Sequence, residues 1–293
     1  MEIKKLTTEQ RNTNSMNIDQ LSTIDMVRVI NNEDKLVAKA VEAELPNIAK
    51  AIEMAAERFL KGGRIIYIGA GTSGRTGALD AIELTPTYSI PPERAFGILA
   101  GGKEAMFMAV EDAEDRKELA VADLQTIELT ENDIVIALAA SGRTPYAISA
   151  IEFGNLIGAL TISISCTKDN ELAQISDVAI TPIVGPEVIT GSTRMKAGTA
   201  QKMVSNMFST GVMIKTGKVY QNLMVNVQAT NIKLVERSIN IISQALSVDR
   251  AVAKELFDEA DHKVNVAIAM HHHKLDKVAA EKFLEANGNK ISV

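Results

Sequence analysis

The sequence predicts an α/β protein: a five-stranded parallel sheet flanked by helices in doubly wound order, plus a small helical module at the C-terminus. Two observations carry this. Five short apolar, β-branched runs, at 64–68, 95–99, 133–138, 159–163 and 178–182, are each bounded by Gly or polar turn residues. Helical patterns lie between most of them, an alternation that covers a parallel sheet on both faces. Right-handed crossovers then bring every strand's C-terminal end to one edge, where open α/β sheets bind ligands.

The remaining elements follow in order. Residues to about Asp25 are polar and rich in Thr, Asn and Gln, and read as an extended arm. A helical pattern at 34–60 places Val37, Ala38, Val41, Leu45, Ile48, Ile52 and Ala55 on one face, and Pro46 kinks or splits it. Long helices are expected at 195–214 and 227–246, and three short ones at 250–259, 263–271 and 274–287. The expected organisation is an arm and helix at 1–55, a ligand-binding domain at 56–245 and a three-helix module at 246–293.

Composition narrows the function. The 293 residues carry 31 basic and 37 acidic side chains, a net charge of −6, and no Trp. That balance speaks against nucleic acid as a partner, which needs clustered Lys and Arg or an aromatic stacking platform. No apolar run approaches the ~18 residues of a membrane span. The start is polar rather than an apolar leader, and Cys166 is the single cysteine, so the cytoplasm is the expected compartment. A small molecule is the expected partner.

Three loops point to its chemistry. The first strand runs into Gly69-Ala70-Gly71-Thr72-Ser73-Gly74-Arg75, where glycines admit an anion and a helix N-terminus aims free N–H groups at it. The same letters spell a dinucleotide fingerprint. That reading requires an acid at the end of the second strand, where Leu99 to Gly102 offers none; Glu93 precedes the strand. The third strand ends in Ser141-Gly142-Arg143-Thr144-Pro145, with Pro145 suited to a first helical turn. A third segment, Ser192-Thr193-Arg194 with Lys196, opens the long helix. Cations there oppose the dipole and are expected to face an anion. Together the loops predict a basic, hydroxyl-lined pocket for a sugar phosphate.

Two sets of carboxylates are candidates for acid–base work. Glu83 is expected to end the apolar helix 77–84, where an acid opposes the dipole. Glu111, Asp112, Glu114 and Asp115 form a cluster from which the residues alone select no member. His271, His272 and His273 make no metal set, since consecutive helical residues point in different directions.

These motifs carry a resemblance. Gly69 to Arg75 resembles the first ligand loop of the sugar isomerase (SIS) domain. The segment 185–202, the segment 78–88 and the arm motifs Thr8-Glu9-Gln10-Arg11-Asn12 and 18–22 resemble those of the N-acetylmuramic acid 6-phosphate etherase family. The likeness covers residues 1 to about 245. The C-terminal module is similar in kind to a UBA-like module, and Thr13 stands where many relatives read Pro.

The resemblance implies a SIS-type fold without a cofactor, catalytic glutamates at Glu83 and Glu114, and a homodimer with sites at the subunit interface. The substrate-binding residues would be Gly71, Thr72, Ser73, Arg75, Ser141, Gly142, Arg143, Thr144, Ser192, Thr193, Arg194 and Lys196. It also implies cleavage of the C3 D-lactyl ether of the sugar, with Glu83 as acid and Glu114 as base. A helix unbroken from Ser73 would carry Glu83 about 15 Å from the first loop. Either the helix starts late or Glu83 serves a partner's site. A non-catalytic sugar-phosphate regulator of the same fold is the alternative, and it has no need of two carboxyls.

Overall fold

The computed structural model describes residues 7–110, 112–227 and 231–292. The chain divides into two compact units. One comprises Met1–Ile82 and Glu93–Ser209, the other Glu83–Pro92 and Thr210–Val293.

The arm is not extended. Its described residues form three single 3₁₀ turns, Thr7–Glu9, Thr13–Ser15 and Ile18–Gln20. Helix α1 then begins at Thr23 and runs to Glu42, well before the expected start at 34. The Ser22 side chain caps it by accepting from the Asp25 N–H. Its first turns were hidden because Ile24 and Val27 stay exposed, so no apolar stripe marks them. Helix α2 spans Leu45–Leu60, with Pro46 in its first turn, so the proline separates two helices rather than kinking one.

The sheet and its helices follow: β1 (Ile65–Gly69), α3 (Gly71–Tyr88), β2 (Ala95–Leu99), α4 (Lys117–Thr126), β3 (Ile134–Leu138), α5 (Pro145–Ile157), β4 (Leu160–Ile164), α6 (Glu171–Ile175), β5 (Val178–Ile180) and α7 (Lys196–Lys215). All five strands are parallel, in the order β2-β1-β3-β4-β5. Every residue of β1, β3 and β4 is buried, which explains their continuous apolar character. One face packs Ile66, Ile68, Val135 and Ala137 against Tyr146, Ile148 and Ile151 of α5 and Leu124 of α4. Burying each of the larger side chains contributes about 1.5–3 kcal/mol. Helix α2 lies over β3, β4 and β5.

Asp133 ties the starts of β1 and β3 together. It accepts from the N–H and guanidinium of Arg64 and from Thr130. Burial alone would raise its pKa, but these donors hold the carboxyl below its usual range.

At the other edge the strand ends are level, with Gly69 opposite both Leu99 and Leu138. The chain adds β2 on one side of β1 and β3 to β5 on the other. The switch point therefore lies between β1 and β3, where the loops after these two strands emerge side by side.

Helix α3 corrects a second expectation. It does not end near Glu83 but continues to Tyr88, with Pro86 in its last turn. A proline there forfeits only the bond to the Ile82 carbonyl, a small loss so near a helix end.

In the second unit, β6 (Val219–Tyr220) and β7 (Leu223–Met224) form an antiparallel hairpin. Helices α8 (Ile232–Leu246), α9 (Arg250–Glu259), α10 (Val264–His273) and α11 (Lys277–Ala286) follow. Part of the expected start of α8, at 228–230, lies outside the described residues. Asn231, Asp249 and Asp276 each cap the helix that follows. The hairpin and all four helices share one core, with Tyr220, Ile242, Phe257, Ile268 and Leu284 among its members.

Candidate functional site

A cleft of about 320 Å³ opens at the switch point. Ala70, Gly71, Thr72 and Ser73 line it from the first loop, and Leu138, Ala139, Ala140, Ser141 and Thr144 from the third strand's end. Gly191 and Thr193 enter from the loop before α7, Glu114 from the loop before α4, and Thr8 and Glu9 from the arm.

The first wall is the N-terminus of α3. Helix geometry leaves the N–H groups of its first turn without intrahelical acceptors, and they point into the cleft with the positive end of the dipole. Close packing makes this turn possible. A Cβ on Gly74 would lie 2.5 Å from the Gly69 carbonyl oxygen, so only glycine lets α3 start this near β1. The Ser73 hydroxyl donates to Gln201 Oε1 at 2.9 Å, and Gln201 is fully buried on α7.

The second wall is the N-terminus of α5. Pro145 occupies its first turn, and the Thr144 side chain makes no capping bond, which leaves its hydroxyl to the cleft. The Tyr146 N–H donates to the Glu114 carbonyl at 3.0 Å. That bond pins Glu114 beside this helix start. Of the described members of the acidic cluster, Glu114 borders the cleft and Asp112 and Asp115 do not; Glu111 lies outside the described residues.

The expected cations are elsewhere. Arg75 donates to the carbonyls of Ala105, Met106 and Met108, clamping the segment that leads towards Glu114. Arg143 is half-buried and Arg194 exposed, and neither lines the cleft. Gly142 and Ser192 are also not among the lining residues.

Lys196 does face an anion, but an internal one: its Nζ lies 2.6 Å from Glu33 Oε2, with both side chains almost wholly buried. Burial would raise the Glu33 pKa, but bonds from Asn14, Lys196 and Asn12 outweigh it and hold the carboxyl low. The N-terminus of α7 is occupied as well. Glu187 accepts from the N–H groups of Lys196 and Ala197, both at 2.9 Å. Burial pushes the Glu187 carboxyl up, against those two bonds.

The pocket is thus hydroxyl-lined but not basic. No Lys or Arg is among the described residues lining it, and its attraction for an anion comes from two helix N-termini. Glu83 sits ten residues beyond Ser73 on unbroken α3, and is exposed and outside the lining.

Sequence reasoning did not assign Thr8 and Glu9 to the site. The signal available was the arm motif from Thr8 to Asn12, in a stretch that reads from its polarity as an extended arm. Asn12 donates to Glu33 and to the Pro186 carbonyl, and Ser15 to the Val188 carbonyl, so the arm is fastened across the third loop.

This sheet order with a hydroxyl-lined cleft at its switch point defines a SIS-domain protein. Residues 108–210 match the SIS domain family, and residues 47–155 match the glucokinase regulatory protein N-terminal SIS domain. A phosphoheptose isomerase from Neisseria gonorrhoeae shares the fold, with a TM-score of 0.51 at 13% identity over 65% of this chain and 98% of that one.

Much greater likeness is found to N-acetylmuramic acid 6-phosphate etherase 1 of Enterococcus faecalis, 60% identical over 100% of this chain and 97% of that protein. The etherase of Lactobacillus gasseri is 56% identical over 100% and 99%. The chain belongs to the N-acetylmuramic acid 6-phosphate etherase family. No helix among the described residues is long and apolar enough to cross a membrane.

Proposed function

We propose that this protein is a lyase that cleaves the C3 D-lactyl ether of N-acetylmuramic acid 6-phosphate. It yields N-acetylglucosamine 6-phosphate and D-lactate, in the recovery of cell-wall amino sugars. The carrying observation is full-length identity to named etherases in a chain whose switch-point cleft combines anion-binding helix starts with a carboxylate.

The chemistry suits such a site. An ether is a poor leaving group, but in the open-chain sugar C3 is β to the C1 aldehyde, so the C2 proton is acidified. A carboxylate removes it, a carboxylic acid protonates the departing lactate oxygen, and water then adds to the unsaturated aldehyde. The phosphate is placed at the starts of α3 and α5, with Thr72, Ser141 and Thr144 beside it. Glu114, held in the cleft through its own carbonyl, takes the C2 proton.

Glu83 is assigned as the acid, acting in the site of a second copy. Its position on unbroken α3, about 15 Å from Ser73, supports this. So does the exposure of Leu79, Ile82, Phe107 and Met108 on the first unit, an apolar surface that a second copy would cover. The cytoplasm, where phosphorylated sugars are retained, is the compartment we assign. A purely regulatory role has no need of two carboxyls.

The test is D-lactate release from N-acetylmuramic acid 6-phosphate by wild type, Glu83→Ala and Glu114→Ala. Release by wild type with large losses in both variants supports the reading. Tight binding of the sugar phosphate with no release by wild type overturns it.

A further inference from the structure

The cleft holds a second carboxylate of its own chain. Glu9 enters from the arm, beside Gly191, and makes no hydrogen bond or ion pair with other described residues. Its Oε2 would lie 3.2 Å from a Cβ on Gly191, which has φ of +76°, so this glycine leaves the carboxylate its space. Next to it Thr8 is wholly buried at the cleft wall, and its Oγ finds no partner among the described residues. A buried hydroxyl and a carboxylate with no partner among the described residues, both bordering one cleft, mark the place of a ligand with hydrogen-bond donors.

The phosphate cannot be that ligand group. A dianion is attracted to the N–H groups of α3 and α5 and repelled by a carboxylate. The end of the cleft served by Glu9 must therefore face the uncharged body of the sugar. The arm that presents Glu9 is anchored for such a task, since Asn12, Asn14 and Lys196 all converge on Glu33, and Asn12 and Ser15 grip the segment 186–188.

We propose that Glu9 is a specificity residue that accepts a hydrogen bond from the sugar body, a hydroxyl or the amide N–H, and so sets the sugar's register against the phosphate cradle. This rests on the etherase reading of the cleft.

The test titrates N-acetylglucosamine 6-phosphate and, separately, inorganic phosphate into wild type, Glu9→Gln and Glu9→Ala by calorimetry. D-lactate release kinetics are measured on the same preparations. A charge-assisted bond lost to Gln is expected to weaken the sugar phosphate about tenfold and raise KM to match. Inorganic phosphate should bind as well as to wild type or better, because a repelling charge is gone. Gly191→Ala, which crowds the carboxylate, should share the KM defect in milder form.

Unchanged KM in both Glu9 variants would overturn the assignment while leaving the etherase reading intact. Equal losses for sugar phosphate and inorganic phosphate would also overturn it, since they indicate a disturbed cradle. Wild type that releases no D-lactate sinks both.

Discussion

Lys196 Nζ and Glu33 Oε2 meet at 2.6 Å, and neither side chain reaches solvent appreciably. This pair joins the start of α7 to α1, and through Asn12 and Asn14 it holds the arm. Removing one partner strands the other charge in the interior, at a cost of about 3–5 kcal/mol. Lys196→Ala should therefore lower the urea midpoint strongly. Glu33→Gln, which keeps hydrogen-bonding capacity, should cost less. A loss of less than about 1 kcal/mol for Lys196→Ala would show that the pair does not hold the fold together.

The same carboxyl sets a pH dependence. Burial opposes it, but hydrogen bonds from Asn14, Lys196 and Asn12 hold the Glu33 carboxyl below the ordinary carboxylate range, so its folded pKa lies under the unfolded one. Its contribution is fully present above pH 4.5 and lost as pH falls through the folded pKa. Denaturation of wild type and Glu33→Gln should differ by a constant amount at pH 6–7 and converge below about pH 4.5. Glu187 is raised and works with the opposite sign, favouring the folded state at low pH and losing that contribution as pH rises through its folded pKa. It is common to both proteins and cancels in the difference.

Arg75 is expected to act through position rather than contact. Its guanidinium bonds three carbonyls at 105, 106 and 108, on the segment that leads to Glu114. Arg75→Ala should cut kcat by up to about 100-fold, the scale of an ångström's misplacement of a catalytic group. Affinity for inorganic phosphate should change little. Arg75→Lys should not rescue, because an ammonium lacks the planar fork. Hydrogen exchange across 105–116 checks that the segment has loosened.

The proposed two-fold dimer with shared sites has a direct signature. Glu83→Ala and Glu114→Ala are each expected to be nearly inactive. Mixed and reassembled in equal amounts, they should regain about a quarter of wild-type specific activity, because half the two-fold dimers are hybrids with one intact site of two. No regain after confirmed exchange of subunits would place both glutamates' roles within one chain.

Gly74 tests the cradle. The Cβ of Gly74→Ala would lie 2.5 Å from a backbone oxygen that cannot move aside. The variant should lose about 1–3 kcal/mol of stability and bind inorganic phosphate more weakly, as calorimetry and thermal melts would report.

Much of the fold was legible in the residues. The five strands lie within one or two residues of the apolar runs, because strands buried on both faces must be apolar throughout. Helices whose inner face is apolar, such as α2, were legible in the same way. The first turns of α1 were not, since they expose Ile24 and Val27 and so carry no periodic stripe. The length of α3 was misread because Pro86 is a breaker in the middle of a helix and tolerated in its last turn.

The site divides along the same line. Local sequence determined the two hydroxyl-rich loops that line the cleft, because Gly, Ser and Thr at strand ends act through their own backbone and hydroxyls. It also determined that a cation at the start of α7 needs an anion. Only the tertiary structure decided which anion, namely Glu33, and so removed Lys196 from the pocket. It likewise brought Glu9 beside Gly191, far along the chain, and seated Glu114 against α5. Such pairings depend on how distant segments pack, and packing is a property of the whole chain that no local spacing encodes.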